Sequence, residues 1–192
     1  MIPNKQSSNE HHALVIGGTG MLSAVSLALT RTHEVVTVVA RNRKRLHDLQ
    51  DNAEGRLHPL ALDYTDYSAL STGLAEAKRK HGAPVLAVVW MHDHALGGLP
   101  TVLESLAGTK SRLFLVRGSA SAAPDNCEHS SETFLKSKHP SLIREVVLGW
   151  VPQGASTRWM THDEISKGVL NAIATDKPFH LVGTVAPWAT RP

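Results

Sequence analysis

Apolar residues in this chain come in short, nearly unbroken runs, not in alternation with polar ones. Runs rich in Val and Leu at 13–17, 34–40, 57–62, 84–91, 112–117, 142–149 and 179–184 predict strands. Between them, apolar residues recur at helical spacing over about 20–31, 43–51, 66–80, 98–107 and 162–175. Strands that are apolar on both faces must be covered on both. Strands separated by helices pair in parallel through right-handed crossovers. The pattern predicts an α/β fold: a single doubly wound, mostly parallel, Rossmann-like sheet with helices on both faces.

Local signals sharpen two regions. Thr161 can cap the last helix while Glu164, three residues on, completes a capping box, and Asp176-Lys177-Pro178 ends it. The stretch from Gly118 to Pro140 is rich in Ser, Ala, Pro, Asn and His and lacks apolar periodicity, so it reads as a long loop of the kind that carries function. The first ten residues are polar and read as a flexible arm. Residues 11–192 then form one Rossmann-like domain, a size that supports a large core.

The first predicted strand, His12-Ala13-Leu14-Val15-Ile16, runs into Gly17-Gly18-Thr19-Gly20-Met21-Leu22-Ser23 and then a helical stretch. Backbone N–H groups at such a turn point outward and suit a pyrophosphate, and glycine lets the phosphate approach the backbone. Ser23 stands where a third small residue would pack helix against strand. The alternative is a turn that only joins strand to helix.

The second strand ends in Ala40-Arg41-Asn42-Arg43, without the carboxylate that NAD-preferring folds place there for the ribose hydroxyls. A guanidinium offers planar, charged donors to a 2′-phosphate. Arg41, supported by Arg43 or Lys44, therefore points to NADP(H), with Asn42 beside it. A solvated basic helix start is the other reading.

Ligands of a doubly wound sheet bind beyond the carboxyl ends of its strands. The fourth strand delivers Trp90-Met91-His92-Asp93-His94, the fifth Arg117-Gly118-Ser119, and the sixth Gly149-Trp150-Val151-Pro152, with Trp159 nearby. Trp90 is a candidate cofactor contact, while His92 or His94 could donate a proton, oriented by Asp93. His92 and His94 share a face in an extended strand, but two ligands do not make a metal site, so none is expected. Trp90 and Trp150 could equally be apolar lids over the sheet end.

Composition removes other classes. The net charge of +3 and the pI of about 9.2 come with short basic runs, Arg41 to Arg45 and Lys78 to Lys80, each at the edge of a predicted helix. That is not the basic and aromatic stripe of a nucleic-acid binder. No apolar stretch is long enough for a membrane span or signal peptide, and the single Cys127 excludes an internal disulfide, so a cytoplasmic protein is expected.

Over nearly its whole length the chain resembles a shortened, divergent short-chain dehydrogenase/reductase. Gly17-Gly18-Thr19-Gly20 looks like that superfamily's diphosphate turn, and Leu62-Asp63-Tyr64-Thr65-Asp66 like its acidic motif, which implies that Asp63 and Tyr64 lie at the adenine ring. Ser119 falls where the superfamily's catalytic serine sits, with Ser121 as a neighbour able to take its part. The Tyr-x-x-x-Lys pair has no counterpart: Tyr64 and Tyr67 are the only tyrosines, and Glu132-Thr133-Phe134-Leu135-Lys136 keeps the lysine spacing with a carboxylate in place of the phenol. The resemblance implies Gly17, Thr19, Gly20 and Met21 at the diphosphate, a small-molecule substrate, and a homodimer or homotetramer. Two functions follow. One is an NADP-dependent oxidoreductase, transferring hydride to a small carbonyl or imine with a non-standard proton donor. The other is a catalytically silent NADP(H)-binding sensor.

Overall fold

In a computed structural model the structure describes residues 10–92, 97–124, 143–154 and 156–192. The N-terminal arm, Asp93, His94, Cys127, the 132–136 segment and most of the 118–140 loop lie outside the described residues, apart from Glu10 and residues 118–124.

Seven strands form one parallel sheet in the order β3-β2-β1-β4-β5-β6-β9. They are β1 (Glu10–Ile16), β2 (His33–Ala40), β3 (Leu57–Ala61), β4 (Leu86–Trp90), β5 (Arg112–Gly118), β6 (Ile143–Leu148) and β9 (Phe179–Val182). Every strand expected from the apolar runs is present. The reason is visible in β1, where Ala13 and Val15 enter one buried cluster and Leu14 and Ile16 enter the other. A strand sandwiched in this way has no polar face to alternate.

One face is covered by α1 (Ser23–Leu29), α2 (Arg43–Asp51) and α5 (His162–Thr175), which bring Val25, Leu46 and Val169 against Val15, Val38 and Phe114. The other is covered by α3 (Tyr67–His81) and α4 (Leu99–Ser105), with Leu70, Leu74, Leu99 and Val102 against Ile16, Val89 and Leu115. The capping box of α5 is formed: Glu164 N–H donates to Thr161 Oγ1 at 3.2 Å and Thr161 N–H donates to Glu164 Oε2 at 2.8 Å.

Two local differences from the sequence expectation matter for the site. Helix α1 starts at Ser23 and not near residue 20, because the turn after β1 takes up all the intervening residues. The 150–160 stretch is a two-stranded antiparallel hairpin, β7 (Trp150–Gln153) and β8 (Ser156–Trp159), whose strands are too short and too polar to show as periodicity. Strand β1 begins at Glu10, so the last residue assigned to the arm is already paired with β2. The sheet order changes direction between β1 and β4, and the crevice above that point is where ligands of such sheets bind.

Candidate functional site

The turn after β1 closes tightly. Gly17 has φ +76°, and a Cβ added to it would lie 2.7 Å from the Trp90 carbonyl oxygen, so only glycine fits there. Its N–H donates to the Val39 carbonyl at 2.9 Å. A Cβ at Gly18 would lie 2.6 Å from Ser26 Oγ and 2.7 Å from Val38 Cγ1. The tight helix-to-strand contact assigned to Ser23 is therefore made by Gly18 and the buried Ser26, whose hydroxyl donates to the Gly18 carbonyl at 3.0 Å. Ser23 is only half-buried, because the later helix start rotates Ser26 onto the sheet in its place.

Gly20 differs from both. A Cβ there would meet nothing within 4 Å, so the backbone faces open space. The N–H groups of Thr19 and Gly20 have no hydrogen-bond partner among the described residues. Ser166 of α5 donates to the Met21 carbonyl at 2.7 Å and holds the far end of the turn.

This turn forms one wall of a groove of about 370 Å3 lined by Gly17, Thr19, Gly20, Met21, Ala40, Arg41, Asn42, Arg45, Tyr64, Trp90, His92 and His162. Of the ten residues expected at a cofactor, eight line it. Arg43 does not: it borders a separate depression with His47, Gln50 and Pro59. Two residues along an α-helix is a rotation of about 200°, so Arg45 faces the groove where Arg43 faces away. Arg45 could have been read from the sequence once Asn42 was recognised as the cap of α2, whose side chain accepts from Arg45 N–H at 3.0 Å.

Asp63 stands behind the groove. Its Oδ1 accepts from Thr65 N–H at 3.0 Å and from the Thr65 hydroxyl at 2.8 Å, and Arg41 Nη1 lies 3.7 Å from Oδ2. The two Thr65 bonds, then Arg41, hold its carboxyl below the usual range. Tyr64 is buried, with the Arg41 guanidinium 6.0 Å above its ring.

Beyond Trp90 a second cleft opens, about 290 Å3, lined by Trp90, Gly118, Ser119, Ala120, Leu148, Gly149, Trp159, Met160, Ile165 and Arg191. Trp90 lines both spaces, and its ring meets that of His92 edge-on at 5.7 Å. His92 and Ser119 were expected to converge, but they line adjoining clefts on either side of Trp90. Ser119 sits at the start of a 3-10 turn, Ser119–Ala122, directly after β5. Its neighbour Ser121 donates to the Gly118 carbonyl at 2.8 Å, which engages it in the turn.

At the strand ends the structure separates core residues from those that face the site. Trp150 is fully buried, with its backbone N–H and C=O paired to Thr184 at 2.9 Å, so it is a core residue and not a wall of the site. Arg117 is also buried, paired with Glu145 at 3.4 Å across β5 and β6. Neither tyrosine approaches Ser119: Tyr64 lines the groove on the β3 side, and Tyr67 packs against Gly97.

Arg191 carries no signal in the sequence pattern, yet it closes the second cleft. Its Nε donates to Ser119 Oγ at 3.0 Å, and its guanidinium lies 5.1 Å from the Trp159 ring and 5.4 Å from the Trp188 ring. A bidentate ion pair from Arg158 to Glu164, 2.8 Å at each contact, fastens β8 to α5 and so fixes the Trp159 wall. Among the described residues no group of three or more His, Cys, Asp or Glu could hold a metal ion, and no helix is long and apolar enough to cross a membrane.

No protein-family model and no curated protein matches the chain. Solved structures do. The chain is similar to a citronellol catabolism dehydrogenase of Pseudomonas aeruginosa, with a TM-score of 0.69 and 14% identity over 90% of this chain and 93% of that one. A metagenomic short-chain oxidoreductase solved in complex with NADP gives 0.68 and 16% over 93% and 98%. A betaketoacyl-ACP reductase from Bacteroides thetaiotaomicron gives 0.66 and 19% over 91% and 94%. The chain has the fold of the short-chain dehydrogenases/reductases.

Proposed function

We propose that this chain is a divergent member of the short-chain dehydrogenase/reductase superfamily, that it binds NADP(H) in the groove above the β1–β4 crossover, and that it is an oxidoreductase acting on a small carbonyl or imine compound. The observation that carries the reading is Gly20, whose backbone faces open space at one end of a groove that has Arg41 and Arg45 at the other. A turn that merely joins strand to helix needs Gly17 and Gly18, which are packed, but gives no reason for the opening at Gly20. The short α1 contributes little dipole, so the exposed N–H groups of Thr19 and Gly20 are the pyrophosphate donors in this reading.

Arg41 and Arg45 would take the 2′-phosphate, and Tyr64 would support the adenosine end. The dinucleotide, when bound, supplies a hydride to an electrophilic carbon. Ser119 would hold the substrate heteroatom by its hydroxyl, and a proton on His92, which lines the adjoining groove across Trp90, would reach that heteroatom through a water. A solved neighbour that is an oxidoreductase in complex with NADP favours both the cofactor and the chemistry.

A second reading has its own observation. No tyrosine stands near Ser119, and the serine hydroxyl already accepts from Arg191, which favours a protein that binds NADP(H) without turnover. One experiment separates the possibilities: calorimetric titration with NADPH and with NADH, followed by deuterium transfer from 4-labelled NADPH to a panel of carbonyl and imine compounds. Tight NADPH binding with stereospecific deuterium transfer supports the enzyme. Binding without transfer across the panel selects the silent protein, and binding of neither nucleotide removes both readings.

A further inference from the structure

Arg191 is held in place by groups that leave its charge unanswered. One N–H, that on Nε, is used on Ser119 Oγ, and the rings of Trp159 and Trp188 lie 5.1 and 5.4 Å from the guanidinium carbon. Its backbone N–H donates to the Trp188 carbonyl at 3.1 Å, which fixes where the side chain starts. No carboxylate among the described residues pairs with it, and its terminal N–H groups have no hydrogen-bond partner among them. Among the described residues lining the cleft it is the one charged group; beside Ser119 the wall is Trp90, Trp159, Leu148, Met160, Ile165 and small residues.

Arg191 is exposed, so the cleft does not shield its charge from water, and its selectivity rests on the geometry of a fork that Ser119 and two tryptophan rings hold in place. Its planar fork matches a carboxylate, and a single cation matches a single negative charge. The link from Nε to Ser119 Oγ puts that anion next to whatever Ser119 holds.

We infer that the cleft beside Ser119 is a subsite for one negative charge, that Arg191 binds it, and that the substrate class is the small oxo acids, with the carboxylate adjacent to the reacting carbonyl carbon. The inference rests on the oxidoreductase reading of the same cleft. In the reaction the oxo acid, NADPH and one proton give the hydroxy acid and NADP+: the carbonyl carbon receives the hydride and its oxygen the proton. Trp159 and Trp188 orient the guanidinium, and the apolar wall receives the rest of the acid.

The test is direct binding, with and without saturating NADP+, of benzoylformate, of its neutral methyl ester and of phenyl phosphate, to wild type, Arg191→Gln and Arg191→Lys. Wild type is expected to bind benzoylformate at least tenfold more tightly than the ester. Arg191→Gln should lose that preference while keeping its affinity for the ester, and Arg191→Lys should recover part of it, since it retains charge but not the fork. Stronger binding of phenyl phosphate than of benzoylformate would overturn the oxo-acid assignment. No acid binding, equal acid and ester binding in wild type, or an unchanged preference in Arg191→Gln would overturn the subsite. In the last case Arg191 only straps its segment to the cleft. NADPH titration of the same proteins reports the cofactor reading separately: charge preference without NADPH affinity supports the subsite and removes that reading, and the converse removes the subsite alone.

Discussion

Arg41 Nη1 lies 3.7 Å from the Asp63 carboxylate at the end of the groove that Gly20 opens. Both side chains are largely solvated, so the pair is weak and Arg41 can turn to a phosphate at little cost. A charge-assisted bond to a phosphate is worth roughly 1.5–3 kcal/mol. Replacing Arg41 by Ala is expected to weaken NADPH by about ten- to a hundredfold by that estimate, while NADH changes within about twofold. Equal losses for the two nucleotides in calorimetry would remove the 2′-phosphate assignment.

Gly18 and Gly20 separate a structural turn from a binding turn. A methyl group at Gly18 would be forced against Ser26, Val38 and Val15. Overpacking of that kind costs roughly 1–3 kcal/mol, read as a fall in Tm of about 2–4 °C per kcal/mol for a chain of this length. Gly20→Ala meets nothing and needs no unusual backbone angle, so its Tm should stay level or rise slightly. Its NADPH affinity should nevertheless drop at least about tenfold, because the Cβ occupies the side from which a phosphate would approach. Unchanged affinity in Gly20→Ala would mean that the opening has no ligand.

His12 and His58, near the amino ends of β1 and β3, and His81 at the end of α3 set a different expectation, for pH. His12 is buried: Nδ1–H donates to the Gly82 carbonyl at 2.8 Å, and Nε2 lies 2.9 Å from the Thr37 hydroxyl, which can donate to the neutral ring. The rings of His58 and His81 meet edge-on at 4.6 Å, and His81 lies 5.8 Å from His12. Burial first, then neighbouring cations and histidines, pushes all three below 6.5. The unfolded chain therefore takes up protons that the folded one refuses. This stability is fully present above pH 6.5 and is lost as pH falls through the lowered values. Thermal melts from pH 8 to 5 should show that fall, and His12→Gln, which can keep both hydrogen bonds, should flatten it.

A second acid step belongs to the hairpin. The Arg158 guanidinium, then the Thr161 N–H, holds the Glu164 carboxyl at about 2 rather than 4.5. A lowered carboxyl stabilises the fold above its unfolded value, and the contribution disappears as pH falls from 4.5 towards 2. The pair is exposed, so the effect is small and should shrink in salt. Tryptophan fluorescence is the measurement, since Trp159 is on the strand that Arg158 fastens. Glu164→Gln should produce the low-pH signal at neutral pH, and an unaltered spectrum would show that β8 holds its place without the ion pair.

The parts of this architecture that could be read from the chain are those where one residue type answers to one local cause. Sandwiched strands need continuous apolar runs, and Gly17 is required by the left-handed backbone of the turn itself, φ +76°. The cap at Asn42 is local too, and the rotation it sets would have pointed to Arg45 in place of Arg43. Trp150 stayed open between lid and wall because a large aromatic at a strand end suits either, and only its burial and the pairing with Thr184 place it in the core. Arg191 could not have been found, because the contact with Ser119 is made by a 3-10 turn at Trp188–Thr190 that brings a distant part of the chain across β5. No spacing rule links those two residues.

The division of labour across Trp90 gives the last prediction. If Ser119 holds the substrate heteroatom and His92 the proton, the two replacements should leave different traces in the reduction of benzoylformate by NADPH. Losing one hydrogen-bond donor to developing negative charge costs about a hundred- to a thousandfold in kcat. Ser119→Ala should show that loss with NADPH affinity intact, because Ser119 lies outside the nucleotide groove. His92→Gln should lower kcat by about a hundredfold or more while benzoylformate still binds. An unchanged kcat in His92→Gln would move the proton to solvent. A wild type that binds both NADPH and benzoylformate but transfers no deuterium would leave the protein as a sensor of the pair.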